Sequence, residues 1–303
     1  PGQGGLVDTL GFYESNTNLW KCLYLEEKLK AAGVQVQMSR RANGGENGGE
    51  FDKGLTVIAS EAQYSGADMF VSLHSNAGPT GADGKKPANY PSYWYRGETG
   101  NDYSEGSIDM SNAAWPYTFD IHHQKMEYNS AWSLNSPGLY GDISFWNDYA
   151  INYFDGVAYK GYYGVLRHGV PGYLMETYFH TYQPACHRAL NTDWCRQEGL
   201  RFARGIKKHF GTAGESKGYI MGYIRTKEKE INQNYYNTSR RYNDVYYPIN
   251  GAQVVLRNEA GDVIKTDNYD YAKSDAPNRN KDIYTTDDEY NGVFVYDDLT
   301  PGK

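Results

Sequence analysis

The chain has 303 residues, with 37 acidic side chains against 30 Lys and Arg and a formal net charge of −7; without a basic stripe, this argues against a nucleic-acid surface. Hydrophobic residues make up 39%, enough to bury a core and to exclude wholesale disorder, while no uninterrupted apolar run approaches the ~18 residues of a membrane-spanning helix. An acidic composition with 34 Gly and 30 Tyr suits a secreted or envelope protein that meets glycans.

Residues 15–32 read as a helix, because Leu19, Cys22, Leu25, Leu29 and Ala32 recur at helical spacing, Ser15 or Asn16 can cap the start and Gly33 stops it. Val34–Met38 alternates as a short strand. A second helix is expected over about 55–65, with Leu55, Ile58, Ala59 and Ala62 on one face. Met69-Phe70-Val71-Ser72-Leu73 reads as a buried strand ending at His74. Such spacing suggests an α/β fold: an open, mostly parallel sheet flanked by helices. Its first strand is missing, since a helix such as 15–32 normally follows one.

From Gly78 to about Tyr163 the pattern breaks into a long aromatic insertion that includes Tyr93-Trp94-Tyr95, Trp115, Trp132 and Phe145-Trp146. It reads as large loops over one sheet edge, with helix over part of 107–127. Gly172-Tyr173-Leu174-Met175 is a further strand, ending at Glu176, and a last helix covers about 192–210. Residues 1–211 therefore form one domain, 212–217 a polar linker, and 218–303 a small all-β sandwich in which Glu259-Ala260-Gly261-Asp262 turns a hairpin. Cys22 sits at an apolar helix position as a buried thiol, while Cys186 and Cys195 are near enough in sequence to bridge. The chain opens at Pro1 without a leader, so export requires one already removed, and both ends read as trimmed.

His74 and Glu176 end two strands, and Glu14 precedes the first helix; an open α/β sheet places its active site there. One histidine and two carboxylates are the inventory of a mononuclear zinc hydrolase: imidazole and carboxylate hold metal, and a second carboxylate takes a proton from water. Each residue alone also has a bland reading, as a hydrogen-bonded strand-end histidine or an acid serving a helix dipole. His180, four residues past Glu176, can line the same cleft. His122-His123 cannot share a helix face and read as surface residues.

Taken in order over residues 1–211, these segments resemble the zinc-dependent N-acetylmuramoyl-L-alanine amidases that separate daughter cells and remodel peptidoglycan. The resemblance rests on Tyr13-Glu14-Ser15, on Ser72-Leu73-His74-Ser75-Asn76-Ala77, on Glu176 following Leu166-Arg167 and Pro171, and on Ser39-Arg40-Arg41. It implies Glu14 and His74 as zinc ligands, Glu176 as the catalytic carboxylate, and Asn76 and Arg167 as substrate or outer contacts. The family's first ligand is a His in a Gly-His-Gly-Gly turn, and Pro1-Gly2-Gln3-Gly4-Gly5 places Gln3 there. A glutamine amide is a poor zinc ligand, so either the site is degenerate and the chain an inactive relative, or the true His lies upstream of Pro1. Residues 250–254, 261–263 and 292–302 resemble a carboxypeptidase-regulatory-like β-sandwich, which adds an accessory role and an extracytoplasmic setting.

The expected activity is zinc-dependent hydrolysis of the amide between N-acetylmuramic acid and L-alanine, in the bacterial envelope or periplasm or outside the cell. The substrate is peptidoglycan or a muropeptide, and a protein activator is left open. Two rivals remain: a non-catalytic wall- or glycan-binding protein, and a zinc peptidase or deacetylase acting on another amide.

Overall fold

The computed structural model describes residues 13–42, 53–77, 90–122, 137–145, 152–154, 157–159, 164–181, 185, 189, 192–212, 217–230, 246–249, 254–266 and 293–302. The first helix, α1 (Glu14–Ala31), buries Leu19, Leu25 and Leu29. It ends in a Schellman motif: Gly33 adopts φ 83°, its N–H donates to Lys30 O, and Val34 N–H donates to Leu29 O. Val34–Met38 is not a strand. Val34 and Val36 instead pack on the main core, so their alternation is satisfied by side-chain burial without a ladder. Helix α2 (Leu55–Tyr64) follows, with Ala59 fully buried.

Strand β1 (Phe70–Asn76) continues two residues past His74. The insertion then supplies β2 (Ser92–Tyr95), the short pair β3 (Gly97–Glu98) and β4 (Asn101–Asp102), α3 (Ser107–His122), β5 (Leu139–Gly141), α4 (Asp142–Phe145), and the pair β6 (Asn152–Phe154) and β7 (Val157–Tyr159). A 3-10 turn at Gly164–Leu166 leads into β8 (Gly172–Phe179), all eight residues of which are buried. Helix α5 (Thr192–His209) follows. The C-terminal part holds β9 (Gly218–Tyr223), β10 (Arg225–Glu230), β11 (Tyr246–Pro248), β12 (Val255–Arg257), β13 (Val263–Thr266) and β14 (Val293–Leu299).

The main sheet is mixed, in the order β1-β8-β2-β5. β1 runs parallel to β8 and β2 parallel to β5, while β2 is antiparallel to β8. Part of the insertion thus supplies two strands of the main sheet, β2 and β5, rather than edge loops, and the helix expected within 107–127 is α3. Tyr93-Trp94-Tyr95 is covered on both faces, at 0%, 3% and 2% exposure, and an unpunctuated aromatic run is what a two-sided buried strand requires. β8 likewise runs three residues beyond Glu176, because Tyr178 and Phe179 are apolar enough to stay inside.

Alternation along the strands sorts the two faces. Leu73, Tyr173 and Met175 join Leu25 and Leu29 of α1, Trp115 of α3 and Phe202 of α5 in the main core. On the opposite face Phe70, Trp94 and Leu174 pack with Ile58, Val165 and Leu166. Helices α3 and α5 cross closely at Gly205, where an added Cβ would lie 2.7 Å from Ala114 Cα and 2.9 Å from Ala114 Cβ. Gly205→Leu must push these backbones apart and is expected to cost about 1–3 kcal/mol in urea unfolding; an unchanged midpoint would show that the crossing is loose.

In the C-terminal part β9 pairs with β14, β10 with β11 and β12 with β13, all antiparallel. The hairpin expected at 259–262 is present: Asp262 N–H donates to Asn258 Oδ1 at 2.8 Å and Gly261 takes φ 89°. Arg201 and Arg204 of α5 both stand over the Tyr219 ring of β9, at 4.3 and 4.5 Å. Cys195 is buried, and its Sγ–H donates to Ala189 O; Cys186, Gln3, His123, Trp132 and Trp146 lie outside the described residues. Cys22 is a free thiol, and burial pushes it up to about 11.

Glu26 on α1 accepts from Arg41 through both carboxylate oxygens and pairs with Lys30 Nζ at 2.7 Å. The Arg41 hydrogen bonds, with burial opposing and Lys30 helping, hold its carboxyl below the usual range. The folded form therefore gains stability from Glu26 above the ordinary carboxylate value, and loses it as pH falls through the lower folded value. A Glu26→Gln variant is expected to melt below the parent at neutral pH, the gap closing in acid. A gap that stays constant down to strongly acid pH would contradict this.

Candidate active site

The C-terminal ends of β1 and β8 and the N-terminus of α1 meet at one place. His74 and Glu176 are register partners across the parallel ladder, so their side chains leave the same face of adjacent strands, which lie ~4.8 Å apart. Glu14 is the first residue of α1, where the helix dipole favours a carboxylate. Its Oε1 lies 3.1 Å from His74 Nδ1, accepts the Ser75 N–H at 3.0 Å, and accepts from Asn18 Nδ2 at 3.3 Å. The other ring nitrogen of His74, Nε2, lies 3.1 Å from Ser72 Oγ. Ser72 and His74 are two apart on one strand and share a face, so the hydroxyl fixes the ring's orientation.

The charges are coupled. Burial raises the Glu14 carboxyl, but the His74 hydrogen bond and charge and the Ser75 N–H outweigh it and leave it lowered. For His74, burial acts downward and is overcome by the Glu14 hydrogen bond and by the charges of Glu176 and Glu14, so the ring is raised above its ordinary value. Glu176 is buried, at 6% exposure. His180 Nδ1 lies 3.0 Å from Ser75 Oγ, and its main-chain N–H donates to Asn76 O. Burial lowers its pKa, with Glu14 and Ser75 opposing, so the ring is held neutral.

The structure therefore brings Glu14, His74, Glu176 and His180 to one sheet end. Asn76 is there too, with Oδ1 accepting the Ala77 N–H at 2.8 Å. Arg167 is held elsewhere: its guanidinium donates to Gly164 O and to Thr56 Oγ1 between the 3-10 turn and α2. Sequence reasoning did not single out Ser72 or Asn18. The signals were present: Ser72 precedes His74 by one strand repeat, and Asn18 follows Glu14 by one helix repeat.

Among the described residues no group of three or more His, Cys, Asp or Glu forms a ready metal cage. Two donors do fit a zinc ion. Ligand atoms at ~2.0–2.1 Å from a tetrahedral zinc lie roughly 3.3 Å apart, close to the 3.1 Å between Glu14 Oε1 and His74 Nδ1. Here Nδ1–H donates to Glu14 Oε1; with zinc bound, Nε2–H would donate to Ser72 Oγ and leave the Nδ1 lone pair for the metal.

Residues 1–130 match the model of the N-acetylmuramoyl-L-alanine amidase family Amidase_3. Over these residues, which include α1, β1 and most of the insertion, the chain is similar to that family. The reaction of that family is the one its description names, N-acetylmuramoyl-L-alanine amide hydrolysis. The match includes Glu14 and His74 and ends before β8, so Glu176 and His180 enter through the fold alone. Among solved structures, the chain is similar to an N-acetylmuramoyl-L-alanine amidase from Clostridium difficile 630, at 22% identity over 71% of this chain and 95% of that one, TM-score 0.49. Amidase AmiC2 of Nostoc punctiforme is similar at 20% identity, covering 69% and 89%, TM-score 0.49. So is the CwlD amidase of Clostridioides difficile, solved in complex with the GerS lipoprotein, at 16% identity, covering 70% and 92%, TM-score 0.47. No curated protein matches the chain. The family model, not these distant likenesses, carries the resemblance. No described helix is long and apolar enough to cross a membrane.

Proposed function

We propose that the chain is a zinc-dependent peptidoglycan amidase in which Glu14 and His74 hold the metal and Glu176 moves the proton. The observation that carries this reading is the 3.1 Å approach of Glu14 Oε1 to His74 Nδ1, with Glu176 the register partner of His74. Bound zinc supplies a Lewis acid that polarises the scissile carbonyl and lowers the pKa of water. Ser72 keeps the His74 ring turned toward Glu14, and Ser75 N–H keeps the Glu14 carboxylate in place. Glu176 takes the proton of the attacking water on its carboxylate and delivers it to the departing amine of L-alanine. His180 and Asn76 border the site and are proposed to meet the substrate; Arg167, which bonds Gly164 O and Thr56 Oγ1, is proposed to act indirectly. Gln3, which lies outside the described residues, is the further candidate metal position.

The chain divides into a catalytic domain over 1–211, a linker over 212–217 and an accessory domain over 218–303. An enzyme with this substrate works on the cell wall, outside the cytoplasm, and an activating protein partner is compatible with it. The test is digestion of purified muropeptides with zinc-loaded protein, read by mass spectrometry. The expected products are free stem peptide with an N-terminal L-alanine and the glycan carrying a lactyl carboxylate. Cleavage at other amides, or loss of N-acetyl groups instead, would favour the peptidase or deacetylase reading, and binding without any product the glycan-binding one.

A further inference from the structure

Lys21 lies seven residues beyond Glu14 on α1, in the stripe that also buries Asn18, Leu25 and Leu29, and its exposure is 0%. An ammonium is costly to bury and is kept inside only when paired. Its Nζ lies 2.9 Å from Glu198 Oε2 on α5, donates to Thr177 Oγ1 at 3.0 Å, and stands 4.3 Å from the centre of the Tyr178 ring. Thr177 Oγ1 in turn donates to the main-chain carbonyl of His74 at 3.3 Å.

These contacts fall on an irregularity of the sheet. His74 pairs with Glu176 and Asn76 with Phe179, so β8 carries one extra residue within Thr177–Tyr178. Such a bulge interrupts the ladder and re-aims the strand beside a functional site. Lys21 grips both residues of the bulge from behind the sheet, on the side of α1 and α5.

Holding the two helices together does not require this pair. α1 and α5 already meet as closely as backbone allows at Gly199, where an added Cβ would lie 2.9 Å from Lys21 O and 2.9 Å from Tyr24 Cβ. Two apolar side chains could fill the same space without the desolvation cost. They could not aim a donor at Thr177, whose hydroxyl hydrogen is thereby directed to His74 O. We infer that Lys21 is a positioning residue: acting through Thr177, it pins the β8 bulge and so fixes the backbone of His74 against Glu176. The consequence for turnover rests on the metal-amidase reading; the linkage itself does not.

The experiment compares Thr177→Val, Thr177→Ser, the apolar pair Lys21→Met/Glu198→Leu, and the triple variant that adds Thr177→Val to it. Thr177→Val is expected to lower kcat and zinc affinity by roughly tenfold, the scale of a lost outer-shell partner, with KM little changed. Thr177→Ser restores both. The apolar pair reproduces the Thr177→Val loss, and the triple variant loses nothing more, because the residues act as one unit. The 13C shift of the His74 carbonyl moves in every impaired variant and reads the linkage without zinc or substrate. Wild-type values for Thr177→Val, or losses that multiply in the triple variant, overturn the inference. If the apolar pair does not fold, the Thr177→Val and Thr177→Ser comparison decides. An inactive, zinc-free parent would end the amidase reading, while the carbonyl shift would still judge Lys21.

Discussion

Glu176→Gln is expected to lower kcat by about 10²–10⁴-fold, the range lost with a general acid–base, while KM and zinc content stay at parental values. The amide has nearly the shape of the carboxylate, so the packing of a residue at 6% exposure is preserved and the fold is not at issue. What disappears is an oxygen that can accept a proton from water and release it to nitrogen. Because His74 and Glu176 face each other across the ladder, the change also removes a negative charge beside His74, one of those that raise its ring. A steady-state assay on muropeptides with metal analysis of the same samples checks the result. Parental turnover in Glu176→Gln would remove the residue from the mechanism, and lost zinc would make it a ligand instead.

His74→Ala has the other large effect. It removes one of the two converging donors, and Glu14 alone, tied to Ser75 N–H and Asn18 Nδ2, cannot hold zinc at neutral pH in competition with water. The loss of metal affinity is expected to exceed well beyond the ~10–100-fold that an outer partner costs, and amidase activity goes with it. Ser72→Ala serves as the internal scale, since it frees the Nε2 side of the same ring without removing a ligand, and falls within that smaller range. Competition with a chromogenic chelator measures both. Equal affinities for the parent and His74→Ala would mean that any zinc binds elsewhere.

The convergence of Glu14, His74 and Glu176 was legible in the sequence because these residues lie at element boundaries with local signals. Glu14 precedes an apolar helical stripe, and His74 and Glu176 close apolar strand runs, so period and position sufficed to bring them to one sheet end. The strand limits were less legible: β1 and β8 run past both residues because Ser75, Thr177 and Phe179 are buried by tertiary packing. Tyr93-Trp94-Tyr95 reads as loop when its neighbours are Gly, Asn and Ser, and only the sheet shows that β8 covers one edge of it and β5 the other. Val34–Met38 illustrates the converse, an alternation that packs on the core without pairing. Lys21 carried a faint signal, a charge in the buried stripe of α1. Its partners Thr177 and Glu198 are more than 150 residues away along the chain, 156 in the case of Thr177, and no local pattern reaches that far.

The most direct test is X-ray absorption at the zinc edge on the chain loaded with metal, parent and His74→Ala side by side. The account predicts about one zinc per parent chain in a mixed nitrogen and oxygen shell of low coordination number, and no retained zinc, or an altered shell without that imidazole, in His74→Ala. A parent that retains no zinc, or identical shells in the two proteins, would contradict it.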